Sequence, residues 1–101
     1  MRKLYSILGL CQRAGKLVSG EVGCEVAGRN KTARVILLAE DASPNTKKKF
    51  MNAGTSYGVP VVEVGTKEEL GGAIGKETRA VLVVADTGFG KKILELLEQM
   101  R

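Results

Sequence analysis

The chain contains no histidine and no tryptophan. With no imidazole there is no side chain suited to proton transfer near neutral pH, so Ser/His/Asp triads and Cys/His nucleophiles are excluded and zinc sites are not expected. Cys11 and Cys24 are the only cysteines, and their separation fits neither a metal-ligand nor a redox motif. No apolar run is long enough to cross a bilayer. Met1 to Gly9 carries two early cations, but Tyr5, Ser6 and Gly9 interrupt its apolar residues, so a secretory signal core is not expected. The expected setting is cytoplasmic, with both thiols reduced.

What is present describes one small basic domain spanning residues 1–101. Sixteen Lys and Arg oppose eleven Asp and Glu, for a formal charge of +5 and a sequence pI near 9.4. Apolar residues make up 44% and charged residues 27%, a composition that supports folding rather than disorder. A chain of this size buries roughly two thirds of its unfolded surface, enough for one core but not for a cleft between domains.

Leu4, Ile7, Leu8, Cys11 and Ala14 recur at helical spacing, predicting a first helix over Arg2 to Ala14 that Gly15 stops. Lys16 to Ser19 reads as a short extended link, and Ser19 as the N-cap of a second helix from Gly20 to Arg29 with Glu21 in its first turn. Gly20, Gly23 and Gly28 make that helix poor by propensity, so something other than local stability selects them. Val35 to Ala39 and Ala80 to Ala85 are unbroken apolar runs, as expected of strands covered on both faces. Ser43-Pro44 predicts the start of a third helix with Thr46, Phe50, Ala53 and Tyr57 on its inner face, ended by Gly58. Val59 to Val64 reads as the next strand, and Thr66 to Glu69 as a capping box. Asp86 or Thr87 then caps a last helix with Ile93, Leu94, Leu97 and Met100 as its buried stripe. This alternation predicts an α/β fold, a three-layer α/β/α sandwich of five helices around a small, mixed or mostly parallel sheet of about four strands.

Few residues suit catalysis. Gly88-Phe89-Gly90-Lys91 resembles part of a phosphate-binding loop, but Ala85 stands where the P-loop needs its first glycine and Lys92 where it needs Ser or Thr. Glu40 and Asp41 follow the central strand, and capping with charge tuning is preferred for them over acid/base chemistry. Cys24 reads as small apolar packing before it reads as a reactive thiol. The cations are more informative. Lys47-Lys48-Lys49 opens the third helix, and other Lys and Arg gather at element ends. If the strand-to-helix turns at Ser19-Gly20-Glu21, Ser43-Pro44 and Asp86-Thr87-Gly88 share one end of the sheet, their unpaired helix amides would form an anion surface. Nucleic acid is the natural polyanion. Tyr5, Phe50 and Tyr57 fall at core spacings, so a base-stacking platform is not expected, and recognition would rest on shape and backbone.

Several ordered stretches together resemble a known family: Leu8 to Glu21, Leu38 to Lys49, Tyr57 to Val61, Glu69 to Glu77 and Thr87 to Phe89. The chain is similar over essentially its whole length to the bacterial branch of the ribosomal L-seven-Ae / L-thirty-e superfamily. The resemblance implies an α/β/α sandwich, agreeing with the reading above, and an RNA-binding protein that recognises kink-turns, which are bent duplexes with tandem sheared G·A pairs. It further implies an RNA-binding set of Lys16, Ser19, Gly20, Glu21, Val22, Gly23, Ser43, Lys47, Lys67, Lys76, Thr78 and Arg79. Gly20 matches the glycine that lets the RNA backbone approach. Val22, Gly23 and Val26 depart from the polar Asn, Glu and Lys of the archaeal and eukaryotic motif, so the resemblance implies no polar base readout by these side chains and weaker or less selective kink-turn binding than the archaeal type. The loop from Lys76 to Val81, usually apolar in the family, here offers phosphate contacts.

These readings converge on a non-enzymatic RNA-binding protein, ribosome- or transcript-associated, whose partner is structured RNA such as a kink-turn or ribosomal RNA. It is expected to be monomeric, with no cofactor, metal or membrane partner. A protein-interaction module of the translation or transcription apparatus on the same fold is the alternative. A small enzyme for an anionic ligand, resting on Glu40, Asp41 and the Gly88 turn, is the third reading.

Overall fold

The structure is a computed structural model that describes residues 1–100. Nine elements follow in order: α1 (Arg2–Arg13), β1 (Leu17–Ser19), α2 (Glu21–Arg29), β2 (Val35–Leu38), α3 (Pro44–Tyr57), β3 (Val61–Glu63), α4 (Lys67–Ala73), β4 (Val81–Val84) and α5 (Thr87–Gln99). They form the expected sandwich. The sheet is mixed, with strand order β1-β4-β2-β3. Only β2 and β3 run parallel, while β4 is antiparallel to both of its neighbours.

Burial follows the apolar runs. All four residues of β2 and all four of β4 are buried, as central strands between two helical layers must be. On one face Cys24 and Ala27 of α2 and Phe50 of α3 pack on Ile36, Leu38, Val81 and Val83. On the other face Leu4, Leu8 and Cys11 of α1, Leu70 of α4 and Ile93 of α5 pack on Val35, Leu37, Leu82 and Val84. Side chains alternate between the layers along each strand, so a four-residue strand serves both cores.

Three of the helix starts follow local chemistry. Ser43 accepts from the Thr46 amide with Pro44 at the first helical position, Thr66 and Glu69 form a full capping box, and Asp86 accepts from the Phe89 amide. Other expectations fail for tertiary reasons. Ser19 does not cap α2. It is held extended opposite Leu82 in the β1–β4 ladder, and the chain turns one residue later, at Gly20. In α3 Gly54 takes the inner position in place of Tyr57, whose exposed ring lies over Gly28 of α2. In α5 the buried line is Gly90, Ile93 and Leu96, with Leu94 and Leu97 half-buried and Met100 exposed beyond the last helical turn. In α1 Ala14 is exposed, past the helix end.

Candidate nucleic-acid interface

Because β4 is antiparallel to β1 and β2, the end of the sheet after β1, β2 and β3 is also the end before β4. Four connections meet there: β1–α2, β2–α3, β3–α4 and α4–β4. Hydrogen bonds join each to the next. The Gly20 amide donates to the Val81 carbonyl at 3.3 Å, and the Ala39 amide to the Ala80 carbonyl at 2.9 Å. Glu40 donates its amide to the Gly65 carbonyl and accepts the Gly65 amide on Oε2 at 3.1 Å. The Asp41 carboxylate accepts the Lys67 amide at 2.8 Å. Arg79 donates its amide to the Lys67 carbonyl and its Nε to the Ser19 hydroxyl at 3.3 Å. Glu40 and Asp41 thus act as loop staples, in keeping with the preferred capping role.

Gly20 is the N-cap of α2, with φ 87° and ψ 154°, and no side chain caps this helix. That conformation is essentially confined to glycine, since a Cβ would strain the backbone. The first amides of α2 therefore face outward with the positive end of the helix dipole and no protein acceptor among the described residues. α3, α4 and α5 are by contrast closed by their own side chains. Glu21 adds negative charge to this helix start, and the Lys49 ammonium of α3, 3.8 Å from Glu21 and 2.9 Å from Glu25, offsets it. The hydrogen bond to Glu25 holds Lys49 above the usual lysine range.

The predicted site residues divide into three groups. Ser19, Gly20, Glu21, Val22, Ser43, Lys67, Lys76, Thr78 and Arg79 lie on or beside this end, with Val22 76% exposed and Lys76 and Thr78 exposed in the turn before β4. Two are committed elsewhere. Lys47 is paired with Glu63 of β3 at 2.9 Å, and Gly23 faces the sheet, where a Cβ would meet Val18 Cγ1 at 2.8 Å. Lys16 is at the opposite end, its carbonyl accepting the Ala85 amide. The Asp86-Thr87-Gly88 turn also belongs to that far end, so the expected convergence of three helix starts reduces to two. Strand direction decides this, and fully apolar strands carry no mark of their direction. Lys49, absent from the predicted set, emerges as the counter-charge to Glu21. Its place in a lysine run was the only sequence signal for it.

Neither thiol is poised for chemistry. Burial pushes Cys24 up to about 12, and its Sγ donates weakly to the Val18 carbonyl at 3.5 Å. Burial likewise pushes Cys11 up to about 11. The described residues hold no cluster of His, Cys, Asp and Glu suited to a metal ion and no helix long and apolar enough to cross a membrane.

These features define a small α/β/α domain with one amide-rich, cation-bearing end of its sheet. The chain belongs to the ribosomal protein L7Ae/L30e/S12e/Gadd45 family, whose model matches residues 2–95. It is 45% identical over 94 residues to RNA-binding protein YlxQ of Bacillus subtilis, covering 93% of this chain and 94% of the relative. It is 41% identical over 97 residues to the protein of the same name from Enterococcus faecium, covering 96% and 93%. Among solved structures, a Bacillus halodurans protein of unknown function superposes with a TM-score of 0.93 at 40% identity, over 97% of this chain and 99% of that one. The Giardia lamblia 15.5kD RNA binding protein shares the fold with a TM-score of 0.82 at 20% identity, over 97% and 84%.

Proposed function

We propose that this protein binds structured RNA without catalysis, recognising a kink-turn or a similarly bent duplex through the Gly20 end of its sheet, as a ribosome- or transcript-associated factor. The observation that carries the reading is the uncapped start of α2 at Gly20, flanked by Arg79 and Lys67 on hydrogen-bonded loops. Outward amides, an Arg79 guanidinium held in place and the nearby charge of Lys67 suit a phosphate backbone. The names of the YlxQ relatives support RNA as the polyanion. Val22 and Val26, both exposed on α2, offer no hydrogen bond to a base edge, so recognition rests on the shape of the bend.

A gel-shift titration tests this, comparing a consensus kink-turn with the same duplex carrying disrupted G·A pairs at two salt concentrations. The kink-turn is expected to bind more tightly at both. Equal binding, or none, would overturn the kink-turn reading.

A further inference from the structure

α1 and α5 lie side by side and antiparallel on the face of the sheet opposite α2 and α3. Their seam is an open groove. At one end Ile7, Leu10 and Phe89 form a shallow, open apolar floor. Leu10 is 48% exposed although it sits on a helix whose other apolar face fills the core. The groove continues past Ile7 and Lys92, which line both halves, to Arg2, Lys3 and Leu96. From Leu10 to Arg2 it runs about 12 Å at 1.5 Å per residue, the reach of two to three turns of a docked helix.

The rim is cationic. Among the described residues the ion pairs use Lys47 and Lys49, both on the other face, so Arg2, Lys3 and Lys92 have no carboxylate partner. Asp86 is the one acid lining this groove, and it is engaged by the Phe89 amide. Arg2 and Lys3 also occupy the first turn of α1, where cations oppose the helix dipole, so folding of the helix does not favour them there. We infer that the α1–α5 seam is a docking groove for a helical segment of a partner protein, apolar along one stripe and acidic along its flanks. This is the helix-in-groove mode of recognition, with electrostatic complementarity setting the choice of partner. The apolar floor favours a protein over RNA, because phosphates gain nothing from Ile7 and Leu10 and the Phe89 ring is packed against the core rather than standing free for a base. The seam lies across the sheet from α2, so both surfaces can be occupied together.

Selection from a displayed library of random peptides about four helical turns long, against the immobilised full chain, tests the inference independently of RNA. The enriched sequences are expected to carry apolar residues three and four apart with Asp or Glu beside them. Their affinity is expected to fall at least tenfold for Leu10→Asp and for the Lys3→Glu/Lys92→Glu double variant. Leu10, Lys3 and Lys92 are all exposed, and circular dichroism checks that the variants fold. A peptide with its acids changed to lysines is expected to bind the double variant better than the parent. No enrichment, enriched sequences without the acidic pattern, or equal binding to Leu10→Asp would overturn the inference. So would a loss of RNA affinity in the charge-reversed variant with peptide binding unchanged, which would make the rim an RNA surface.

Discussion

Gly20 is where backbone geometry and surface chemistry meet. No atom beyond its two chain neighbours lies within 4 Å of a Cβ built there, so a substitution costs only backbone strain, about 1–3 kcal/mol for a residue held in that region. Gly20→Ala is expected to lower unfolding free energy by that amount in urea titrations while the protein remains folded at room temperature. Gly20→Glu carries the same strain and should also abolish RNA binding through its charge at the helix start. RNA affinity in Gly20→Glu equal to that in Gly20→Ala would move the site elsewhere. A second prediction concerns Cys24, which is 2% exposed. Its thiol is protonated far above the usual cysteine range of about 9, so native protein should resist alkylation at pH 8 and react only on unfolding. The sign of the linkage follows from the raised value. Stability owed to the neutral buried thiol is fully present below about pH 9 and is lost as pH climbs toward 12, at up to about 1.4 kcal/mol per pH unit. The stability advantage of the parent over Cys24→Ala should therefore shrink between pH 9 and 11 in denaturant titrations.

Elements show what local sequence can and cannot reveal. The caps at Ser43, Thr66 and Asp86 were legible because each acts within four residues of itself, and the hydrophobic runs of β2 and β4 were legible because burial on both faces leaves no polar position. Ser19 has the local chemistry of a helix cap, but its place is set by a pairing partner, Leu82, far away in sequence. The glycines of α2 stand out in the sequence by their poor helix propensity, but their reason does not. Gly23 lies against Val18, and Gly28 under the Tyr57 ring, contacts between elements that no local pattern encodes. The adjacent glycines of α4 separate sharply on the same ground. A Cβ on Gly71 would overlap the Glu77 carbonyl, so the turn carrying Lys76 and Thr78 crosses α4 only because that side chain is missing, whereas Gly72 faces open space. Gly71→Ala is expected to cost about 1–3 kcal/mol by overpacking and to displace a loop of the proposed interface, weakening RNA binding as well. Gly72→Ala should instead be neutral or stabilising by up to about 1 kcal/mol through its better helix propensity. Thermal unfolding of the pair decides it. Each kcal/mol is worth roughly 4–8 °C in a domain of this size.

At the scale of the whole molecule, the direction of β4 determines which cations act together. Reversing it relative to its neighbours brings the loop of Lys76 to Ala80 beside Gly20 and Lys67, and sends Lys16 and the Asp86 turn to the far end. Net charge alone treats these lysines as equivalent, whereas the topology does not. Lys67, Lys76 and Arg79 stand at the end of the sheet proposed to meet RNA, without a carboxylate partner among the described residues, and on that proposal each neutralises one phosphate. Each such contact contributes roughly 0.7–0.9 to the slope of log affinity against log salt, through release of condensed counterions. Three contacts predict a slope of roughly −2 to −3 for the kink-turn complex. Lys76→Gln should lower its magnitude by nearly one contact's share. Lys16→Gln should leave it unchanged, because Lys16 precedes β1 at the end of the sheet opposite RNA seated on Gly20. Equal slopes for the parent and Lys76→Gln, or a reduced slope for Lys16→Gln, would mean that the RNA lies along the sheet rather than across the end where α2 begins.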